Sequence, residues 1–345
     1  MLRYEHGGDI YEDDGIFLDF SVNTNPLGMP ESVKQAIISH IPAYACYPDP
    51  FCRALRSALA ARNGMEPSAV LCGNGAAELI FALCACVRPR RALTLAPTFS
   101  EYERAVSLFG GEICEHLLLE SEGFDLTESI LEKITPETDI LFLCNPNNPT
   151  GQLIDPALLS KIAEICRDNG TLLVIDECFI DFTRGNSILP QLGKYPNLLI
   201  IRAFTKIYAM AGVRLGTLYC ADERLLSRIA DFSPAWNVSG IAQAAGIAAL
   251  KETGWIEKTR WLVENERAFM AEALRSLGLT AYQSDSNFLL LKSEKPLYEP
   301  LRARGLLVRS CANFTGLDER HIRIGMKTHE KNMALLRAVS EVLNG

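Results

Sequence analysis

The sequence of 345 residues contains no apolar stretch long enough to span a bilayer and no long run of basic residues. A transmembrane helix needs about 20 consecutive, mostly apolar residues, so the first absence argues against membrane insertion. The densest basic group, Arg88-Pro89-Arg90-Arg91, is too short for a nucleic-acid footprint, and the formal net charge is −8. The polar segment Met1–Tyr11 is unlike a signal or transit peptide, which favours a cytoplasmic protein. We therefore expect neither a membrane nor a nucleic-acid partner.

The usual patterns of metal-binding cysteines are also missing. The eleven cysteines include no Cys-x-x-Cys pair, and Cys84-x-Cys86 stands alone. Many of the cysteines lie in apolar runs, where free thiols pack as small hydrophobic side chains. We therefore expect no metal site and no disulfide framework.

Apolar runs alternate with amphipathic helical stretches from about Tyr47 to Leu250. This alternation predicts an α/β fold with a mostly parallel sheet that helices cover on both faces. Asp155 followed by Pro156 marks a sharp helix start, because Asp caps a helix and Pro suits its first position. The predicted strands are Val70–Cys72, Ala92–Ala96, Ile140–Cys144, Thr171–Ile175, Leu198–Arg202 and Leu215–Cys220, and the helices between them include Gly75–Val87, Pro156–Asn169 and Leu225–Phe232.

The pattern changes after Trp255 and predicts a smaller α+β domain. A long helix, Trp255–Leu277, precedes three short apolar runs and a closing helix with one apolar face. The runs are Asn287–Lys292, Leu306–Arg309 and His321–Ile324, and the apolar face of the closing helix carries Met333, Leu336, Val339 and Leu343. We expect a large domain of residues 45–250 and a smaller one from residues 1–44 and 251–345.

Three polar residues, Asn148, Asp176 and Lys206, follow apolar runs. Ligands of an open parallel sheet bind beyond the carboxyl ends of its strands, where these side chains can converge. A lysine is almost never buried without a partner, but its amine suits Schiff-base chemistry in a dry pocket. An aspartate can keep a pyridine nitrogen protonated, and an asparagine can donate to a phenolic oxygen. The pattern predicts a site for pyridoxal 5'-phosphate (PLP), with Lys206 and Asp176 as catalytic residues.

Other residues complete this predicted cofactor site. Arg214 and Thr205 lie close to Lys206 in the sequence and can reach the cofactor phosphate. Gly75 and Ala76 open a predicted helix whose free N–H groups suit an anion. Phe99 can stack on the cofactor ring. Each residue alone has an ordinary structural explanation, such as a turn, a cap or a core position. Their order at successive strand ends favours the PLP site.

The segment Gly73–Glu78 suggests a different class of enzyme. It follows a short strand and nearly matches Gly-x-Gly-x-x-Gly, but Glu78 replaces the third glycine. A partial match of this kind is weak. A nicotinamide-dependent dehydrogenase therefore stays open as an alternative, although it explains neither Lys206 nor Asp176.

Four motifs carry a family resemblance: Asn147-Asn148-Pro149-Thr150-Gly151, Asp176-Glu177, Thr205-Lys206 and Gly212-x-Arg214-x-Gly216. With these motifs the chain resembles the fold type I PLP enzymes, specifically the class II aminotransferase group that contains histidinol-phosphate aminotransferase. The resemblance covers essentially the whole chain. It implies the fold type I architecture and the PLP cofactor, and it leaves the reaction open.

A second, narrower resemblance is carried by further segments of the sequence: His6–Ile10, Leu18–Pro30, Tyr47-Pro48-Asp49, Gly73-Asn74-Gly75 and Arg309–Asp318. These are more similar to the threonine-phosphate decarboxylase family of cobalamin biosynthesis. Phe179 points the same way, because the aminotransferases usually carry a tyrosine there that hydrogen-bonds the cofactor's phenolic oxygen. The resemblance implies decarboxylation of L-threonine O-3-phosphate to (R)-1-amino-2-propanol O-2-phosphate. Histidinol-phosphate aminotransferase, or a related aminotransferase, is the alternative.

The resemblance also implies roles for individual residues. Tyr47 would reach the cofactor phosphate of the neighbouring subunit, which makes the active unit a homodimer with shared active sites. Ala203 departs from the relatives, which usually place a Ser or Thr there to hold the cofactor phosphate. The implied contacts to the substrate's carboxylate and phosphate come from His6, Asn23, Asn148, Arg309 and Arg323, and the arginine fork can bind either group bidentately.

Overall fold

The computed structural model describes residues 6–10, 18–185 and 187–344. Its strands are β1 Leu18–Asp19, β2 Val70–Gly73, β3 Arg91–Ala96, β4 Glu112–Leu117, β5 Ile140–Cys144, β6 Leu172–Asp176, β7 Leu198–Ala203, β8 Gly216–Cys220, β9 Thr280–Ala281, β10 Phe288–Lys292, β11 Leu306–Leu307, β12 Arg309–Ser310 and β13 His321–Gly325. Its α-helices are α1 Glu31–Ser39, α2 Arg53–Asn63, α3 Ala76–Val87, α4 Glu101–Leu108, α5 Pro156–Asn169, α6 Phe204–Ile207, α7 Glu223–Ala230, α8 Gly240–Leu250, α9 Trp255–Ser276, α10 Tyr298–Arg302 and α11 His329–Asn344.

A seven-stranded sheet in the order β2-β8-β7-β6-β5-β3-β4 forms the centre of the molecule. Strands β4, β3, β5, β6 and β7 run parallel, whereas β8 is antiparallel to both β7 and β2. The fold is therefore α/β with a mixed, mostly parallel sheet. The carboxyl ends of β5, β6 and β7 lie side by side at one edge of this sheet.

Helices cover both faces of the sheet. Successive residues of a strand point to opposite faces, so neighbours in one strand pack against different helices. Leu141 and Leu143 of β5 pack with α2, α5 and α8, whereas Ile140 and Phe142 pack with α3, α4 and α7. All five residues of β5 are buried, which explains why this strand reads as a continuous apolar run. Asp155 caps α5 as predicted, since its Oδ1 accepts hydrogen bonds from Ala157 N and Leu158 N, both at 2.9 Å.

A second, four-stranded sheet in the order β12-β13-β10-β9 is antiparallel and packs with α9 and α11. The described residues 18–44 divide between the two sheets. Strand β1 pairs with β11, next to the smaller sheet, whereas α1 packs against α8 of the larger one. No helix in the described ranges is long and apolar enough to cross a membrane.

The strands of the structure differ from the predicted strands mainly at the edge of the large sheet and at the strand ends. Strand β4 was not predicted, because it lies at the edge of the sheet and its sequence, EICEHL, mixes charged with apolar residues. The predicted strand Leu306–Arg309 is two short strands, since Leu306–Leu307 pairs with β1 and Arg309–Ser310 pairs with β13. The predicted strand Ile140–Cys144 matches β5, and the other predicted strands differ by one residue at one or both ends.

Candidate active site

A cavity of about 230 Å³ opens at the carboxyl ends of β5, β6 and β7. It brings together residues from distant parts of the sequence, and eleven of the predicted site residues line it. These are His6, Asn23, Ala76, Phe99, Asn148, Asp176, Thr205, Lys206, Arg214, Arg309 and Arg323. Gly75 and Tyr47 do not line the cavity of their own chain.

Lys206 lies on α6, a single helical turn that directly follows the buried strand β7. Burial lowers the pKa of its amine from 10.5 to about 8, and the positive charge of Arg323 acts in the same direction. A larger fraction of the amine is therefore unprotonated near neutral pH than for a lysine in water. Covalent chemistry at a lysine requires the unprotonated form.

Asp176 ends β6, and donors hold both of its carboxylate oxygens. The Tyr102 hydroxyl donates to Oδ2 at 2.7 Å, and the Cys178 backbone N–H donates to Oδ1 at 2.9 Å. Tyr102 is fully buried and stacks on Phe142, with ring centroids 5.1 Å apart. Burial, together with the charge of Asp176, raises the pKa of Tyr102 well above its ordinary value. The arrangement fixes one carboxylate in the cavity wall.

An anion cradle lies where α3 begins. The helix has no side-chain cap at Gly75, so the N–H groups of its first turn are open to a ligand beside the cavity. Gly75 has a φ of +86°, and a Cβ there would collide with the guanidinium of Arg214. A Cβ on Gly216 would come within 2.5 Å of Ala76 N. The two glycines thus let Arg214 and β8 approach the helix start closely, and Thr205 lines the same cavity.

Aromatic side chains form two walls of the cavity. The Phe99 ring meets Tyr102 edge-on, with centroids 5.6 Å apart. The Phe179 ring meets Phe288 edge-on at 5.1 Å, and the Lys206 Nζ lies 5.9 Å from the Phe179 centroid. Phe179 therefore presents an apolar face beside the lysine, with no hydroxyl that could donate a hydrogen bond.

Arg323 is buried, and no carboxylate of the described residues lies within 4.0 Å of its guanidinium. Its Nη1 donates to Asn148 Oδ1, its Nη2 donates to Ser21 O at 2.8 Å, and its Nε has no partner within the described ranges. Burial lowers the pKa of this guanidinium to about 10. A buried charge without a counter-ion is costly, so an anionic ligand is the natural partner.

Three other predicted substrate residues, His6, Arg309 and Asn23, line the same cavity. His6 Nε2 lies 2.8 Å from Glu101 Oε1, and this hydrogen bond is the largest cause of the lowered pKa of Glu101. Arg309 Nη2 donates to Asn313 Oδ1 at 2.8 Å. The Asn23 Oδ1 is buried and has no hydrogen-bond partner in the part of the chain that the structure describes. The cavity thus combines cationic groups with an open polar acceptor.

Tyr47 lies outside this cavity and is 81% exposed. Its ring stacks on Trp236, with centroids 4.6 Å apart. Exposed apolar residues nearby in the sequence include Ile41 and Phe51. Tyr47 is therefore presented at the surface and takes no part in the cavity of its own chain.

The glycine segment that suggested a dinucleotide site follows β2, which lies at the sheet edge and runs antiparallel to β8. A dinucleotide fold instead places this segment after a parallel strand inside the sheet. Glu78 accepts a 2.5 Å hydrogen bond from Asn74 N, which closes the loop on itself. The position of this segment does not favour a dinucleotide site.

Residues 15–339 match the family described as aminotransferase class I and II. The chain belongs to the aminotransferase class I and II family. This family is PLP-dependent, and the lysine, the paired aspartate and the anion cradle of the cavity fit that cofactor. The family match and the α/β fold confirm the fold class and the cofactor that the motifs predicted.

Within the family, the chain is similar to members with two different activities. It is 40% identical to the threonine-phosphate decarboxylase of Salmonella typhimurium, in an alignment that covers 100% of this chain and 98% of that protein. The crystal structure of L-threonine-O-3-phosphate decarboxylase from Porphyromonas gingivalis has a TM-score of 0.85 and 26% identity, covering 94% of this chain and 99% of that one.

The other activity is amino transfer. The crystal structure of the histidinol-phosphate aminotransferase from Clostridium acetobutylicum has a TM-score of 0.89 and 30% identity, covering 95% of this chain and 99% of that one. Because both kinds of relative share the whole fold, overall shape does not distinguish the two reactions. The distinction must come from the site.

Proposed function

We propose that this protein catalyses the PLP-dependent decarboxylation of L-threonine O-3-phosphate to (R)-1-amino-2-propanol O-2-phosphate, a step of cobalamin biosynthesis. The single observation that carries the proposal is the 40% identity to the Salmonella decarboxylase along the full length of both chains. The cavity supports it, because a small substrate with a carboxylate and a phosphate matches a pocket lined by His6, Arg309 and Arg323.

The cavity residues have separate tasks in this proposal. The α3 N-terminus, Arg214 and Thr205 would bind the cofactor phosphate, and Asp176 would hold a proton on the pyridine nitrogen. Bound PLP would supply an electron sink for the bond that breaks at the substrate's α-carbon. Lys206 supplies the amine for covalent attachment. The absence of a side-chain hydroxyl at Ala203 leaves phosphate binding to these remaining groups.

Of the residues assigned to the substrate, all but Asn148 lie outside 45–250. We propose that residues 45–250 form the large cofactor-binding domain, whereas residues 1–44 and 251–345 form the smaller domain with the N-terminal arm. His6, Asn23, Arg309 and Arg323, which we assign to the substrate, all come from the second set. Asn148 belongs to the first set and joins the two, because its Oδ1 accepts a hydrogen bond from Arg323.

Histidinol-phosphate aminotransferase remains the second candidate, since that relative from Clostridium acetobutylicum has a TM-score of 0.89. Phe179 favours the decarboxylase. The aminotransferases that the chain resembles usually place a tyrosine donor at this position, and Phe179 offers only a hydrocarbon ring beside Lys206. A decarboxylase and an aminotransferase can share the anion contacts and differ in which bond of the α-carbon they hold for cleavage.

We further propose that the protein acts in the cytoplasm as a homodimer with shared active sites. Tyr47 would contact the cofactor phosphate in the neighbouring subunit. Its 81% exposure and its stacking on Trp236 support this role, because the pair is presented to the surface and not to its own cavity. An exposed aromatic pair is a typical feature of a protein–protein contact.

The proposal is tested by product analysis. Purified protein with PLP and L-threonine phosphate should yield 1-amino-2-propanol phosphate when no 2-oxo acid is present. Histidinol phosphate with 2-oxoglutarate should yield little glutamate. Strong glutamate formation without aminopropanol phosphate would favour the second candidate.

A further inference from the structure

The helical turn that carries Lys206 is too short to stabilise itself. Helix α6 contains only Phe204–Ile207, and the last carbonyls of any α-helix lack partners within the helix. A single turn also gains little from helix propagation. Lys206 O accepts a local hydrogen bond from Ala209 N at 3.2 Å, so the remaining support for these carbonyls must come from groups outside the turn.

Asn25 binds two of these carbonyls. Its backbone N–H donates to Lys206 O at 3.0 Å, and its side-chain Nδ2 donates to Ile207 O at 2.7 Å. The same Nδ2 donates to Thr259 Oγ1 at 2.8 Å, and the Trp255 indole N–H donates to Ile207 O at 3.1 Å. Asn25 is only 4% exposed. It thereby connects the N-terminal segment, the Lys206 turn and helix α9.

The rest of the Asn25 side chain is also satisfied. Its Oδ1 accepts a hydrogen bond from Leu27 N at 2.9 Å, which fixes the loop that presents Asn25. Thr259 is fully buried and donates to Trp255 O at 2.8 Å. A buried polar network of this kind, with each member paired, holds its parts in one arrangement. Asn25 does not line the cavity, so it acts on the site through the backbone of Lys206.

We propose that Asn25 is a positioning residue that fixes the Lys206 turn and keeps the Lys206 amine in its desolvated place. The proposal deepens the proposed function, because it rests on Lys206 being the cofactor-binding lysine. The state of the amine can be measured without the reaction, however. A failure of the Asn25 proposal and a failure of the decarboxylase proposal are therefore distinguishable.

The test follows the reactivity of Lys206 in full-length protein freed of cofactor. Wild-type protein and Asn25→Ala are pulse-labelled with acetic anhydride across a pH series, and peptide mass spectrometry reports the labelled fraction of Lys206. Asn25→Ala should admit water to the turn. Because desolvation lowers the pKa of Lys206, its apparent pKa should then rise by about one unit. The labelling rate of Lys206 at pH 7 should then fall about tenfold.

Asn197→Ala is the matched control. Asn197 is half-buried and donates from Nδ2 to Thr171 O at 2.8 Å. It directly precedes the amino end of β7, whereas the Lys206 turn follows the carboxyl end of that strand. This variant should lose thermal stability while the apparent pKa of Lys206 stays at the wild-type value.

In the cofactor-loaded enzyme, Asn25→Ala should lower kcat for L-threonine phosphate and leave KM nearly unchanged, since Asn25 does not touch the cavity. If Asn25→Ala does not fold, Trp255→Phe decides the question, because it removes the second donor to Ile207 O and keeps an aromatic ring. A raised Lys206 pKa in that variant supports the proposal. A Lys206 pKa equal to the wild-type value in the folded variants overturns it and leaves Asn25 a purely structural residue.

Discussion

The Tyr102 hydroxyl and the Asp176 carboxylate are joined by a 2.7 Å hydrogen bond inside the protein. Tyr102 comes from α4 and is fully buried, whereas Asp176 ends β6 and is 5% exposed. A charged acceptor held by a buried donor is among the stronger hydrogen bonds of a protein. The pair therefore sets where the negative charge of the site lies.

Tyr102→Phe should weaken catalysis while keeping the fold. The phenyl ring preserves the stacking on Phe142, but Asp176 loses a hydrogen bond of a charged group, which is worth about 1.5–3 kcal/mol. We expect kcat to fall by about ten- to a hundredfold. Steady-state kinetics measure this loss, and circular dichroism checks that the variant is folded.

Asp176→Asn provides the comparison, because it keeps the shape and removes the charge. It should lose more activity than Tyr102→Phe, since the anion itself is gone and several kcal/mol of electrostatic stabilisation go with it. Near-wild-type turnover in Asp176→Asn would contradict the role given to this residue.

Lys206 should make the stability of the cofactor-free protein depend on pH. Burial lowers its pKa from 10.5 to about 8, so the unfolded chain binds more protons than the folded chain between these values. The free energy of unfolding contributed by this group therefore rises as pH increases from about 8 to 10.5. Lys206→Met carries no charge and should be the more stable protein below pH 8, by about 3 kcal/mol at most.

This advantage of Lys206→Met should shrink as the pH rises toward 10.5. Urea unfolding of both proteins at several pH values measures it. The same variant should retain no cofactor after borohydride reduction. Parallel stability curves for the two proteins, or reduced cofactor mapped to another lysine in wild-type protein, would contradict the assignment of Lys206.

Much of this site could be predicted from sequence, because its main residues follow apolar runs. Asp176 ends a buried parallel strand, and Asn148 and Lys206 each follow one, and such strands end at one edge of the sheet. Arg323 interrupts an apolar run between Ile322 and Ile324, which marks it as unusual. Local patterns of this kind can be recognised in the sequence because they reflect burial along a single strand.

Tyr102 and Asn25 could not be found in this way. Tyr102 meets Asp176 across 74 residues, and Asn25 meets Ile207 across 182. Nothing in the local sequence of either residue indicates its partner, because the contact depends on how α4 and the N-terminal segment pack. The reversed direction of β8 was hidden for the same reason, since strand direction is a property of the connections.

Arg323→Met should impair substrate binding more than cofactor binding. The guanidinium is buried and has no carboxylate partner among the residues that the structure describes, and losing a desolvated charge contact typically costs about 2–5 kcal/mol. KM for L-threonine phosphate should therefore rise strongly while the affinity for PLP changes little. Arg184→Met, which removes a surface ion pair with Glu264, is the control and should behave like wild type. An unchanged KM in Arg323→Met would remove this residue from the substrate site.

Mixed dimers test whether active sites are shared. Tyr47→Phe and Lys206→Ala should each be inactive or nearly so when pure. If Tyr47 acts in the neighbouring subunit, a hybrid of the two variants contains one site with both native residues, and mixing should restore part of the activity. Mass spectrometry of differently tagged subunits confirms exchange. Demonstrated exchange without any recovery would argue that each chain builds its own site.

Carbon dioxide release from L-threonine phosphate tests the central claim most directly. The experiment measures the ratio of carbon dioxide formed to substrate consumed by the PLP-loaded protein without a 2-oxo acid, with Lys206→Ala as the blank. A decarboxylase predicts a ratio near one and continued turnover. The contradicting result is no carbon dioxide above the blank, together with rapid glutamate formation from histidinol phosphate and 2-oxoglutarate.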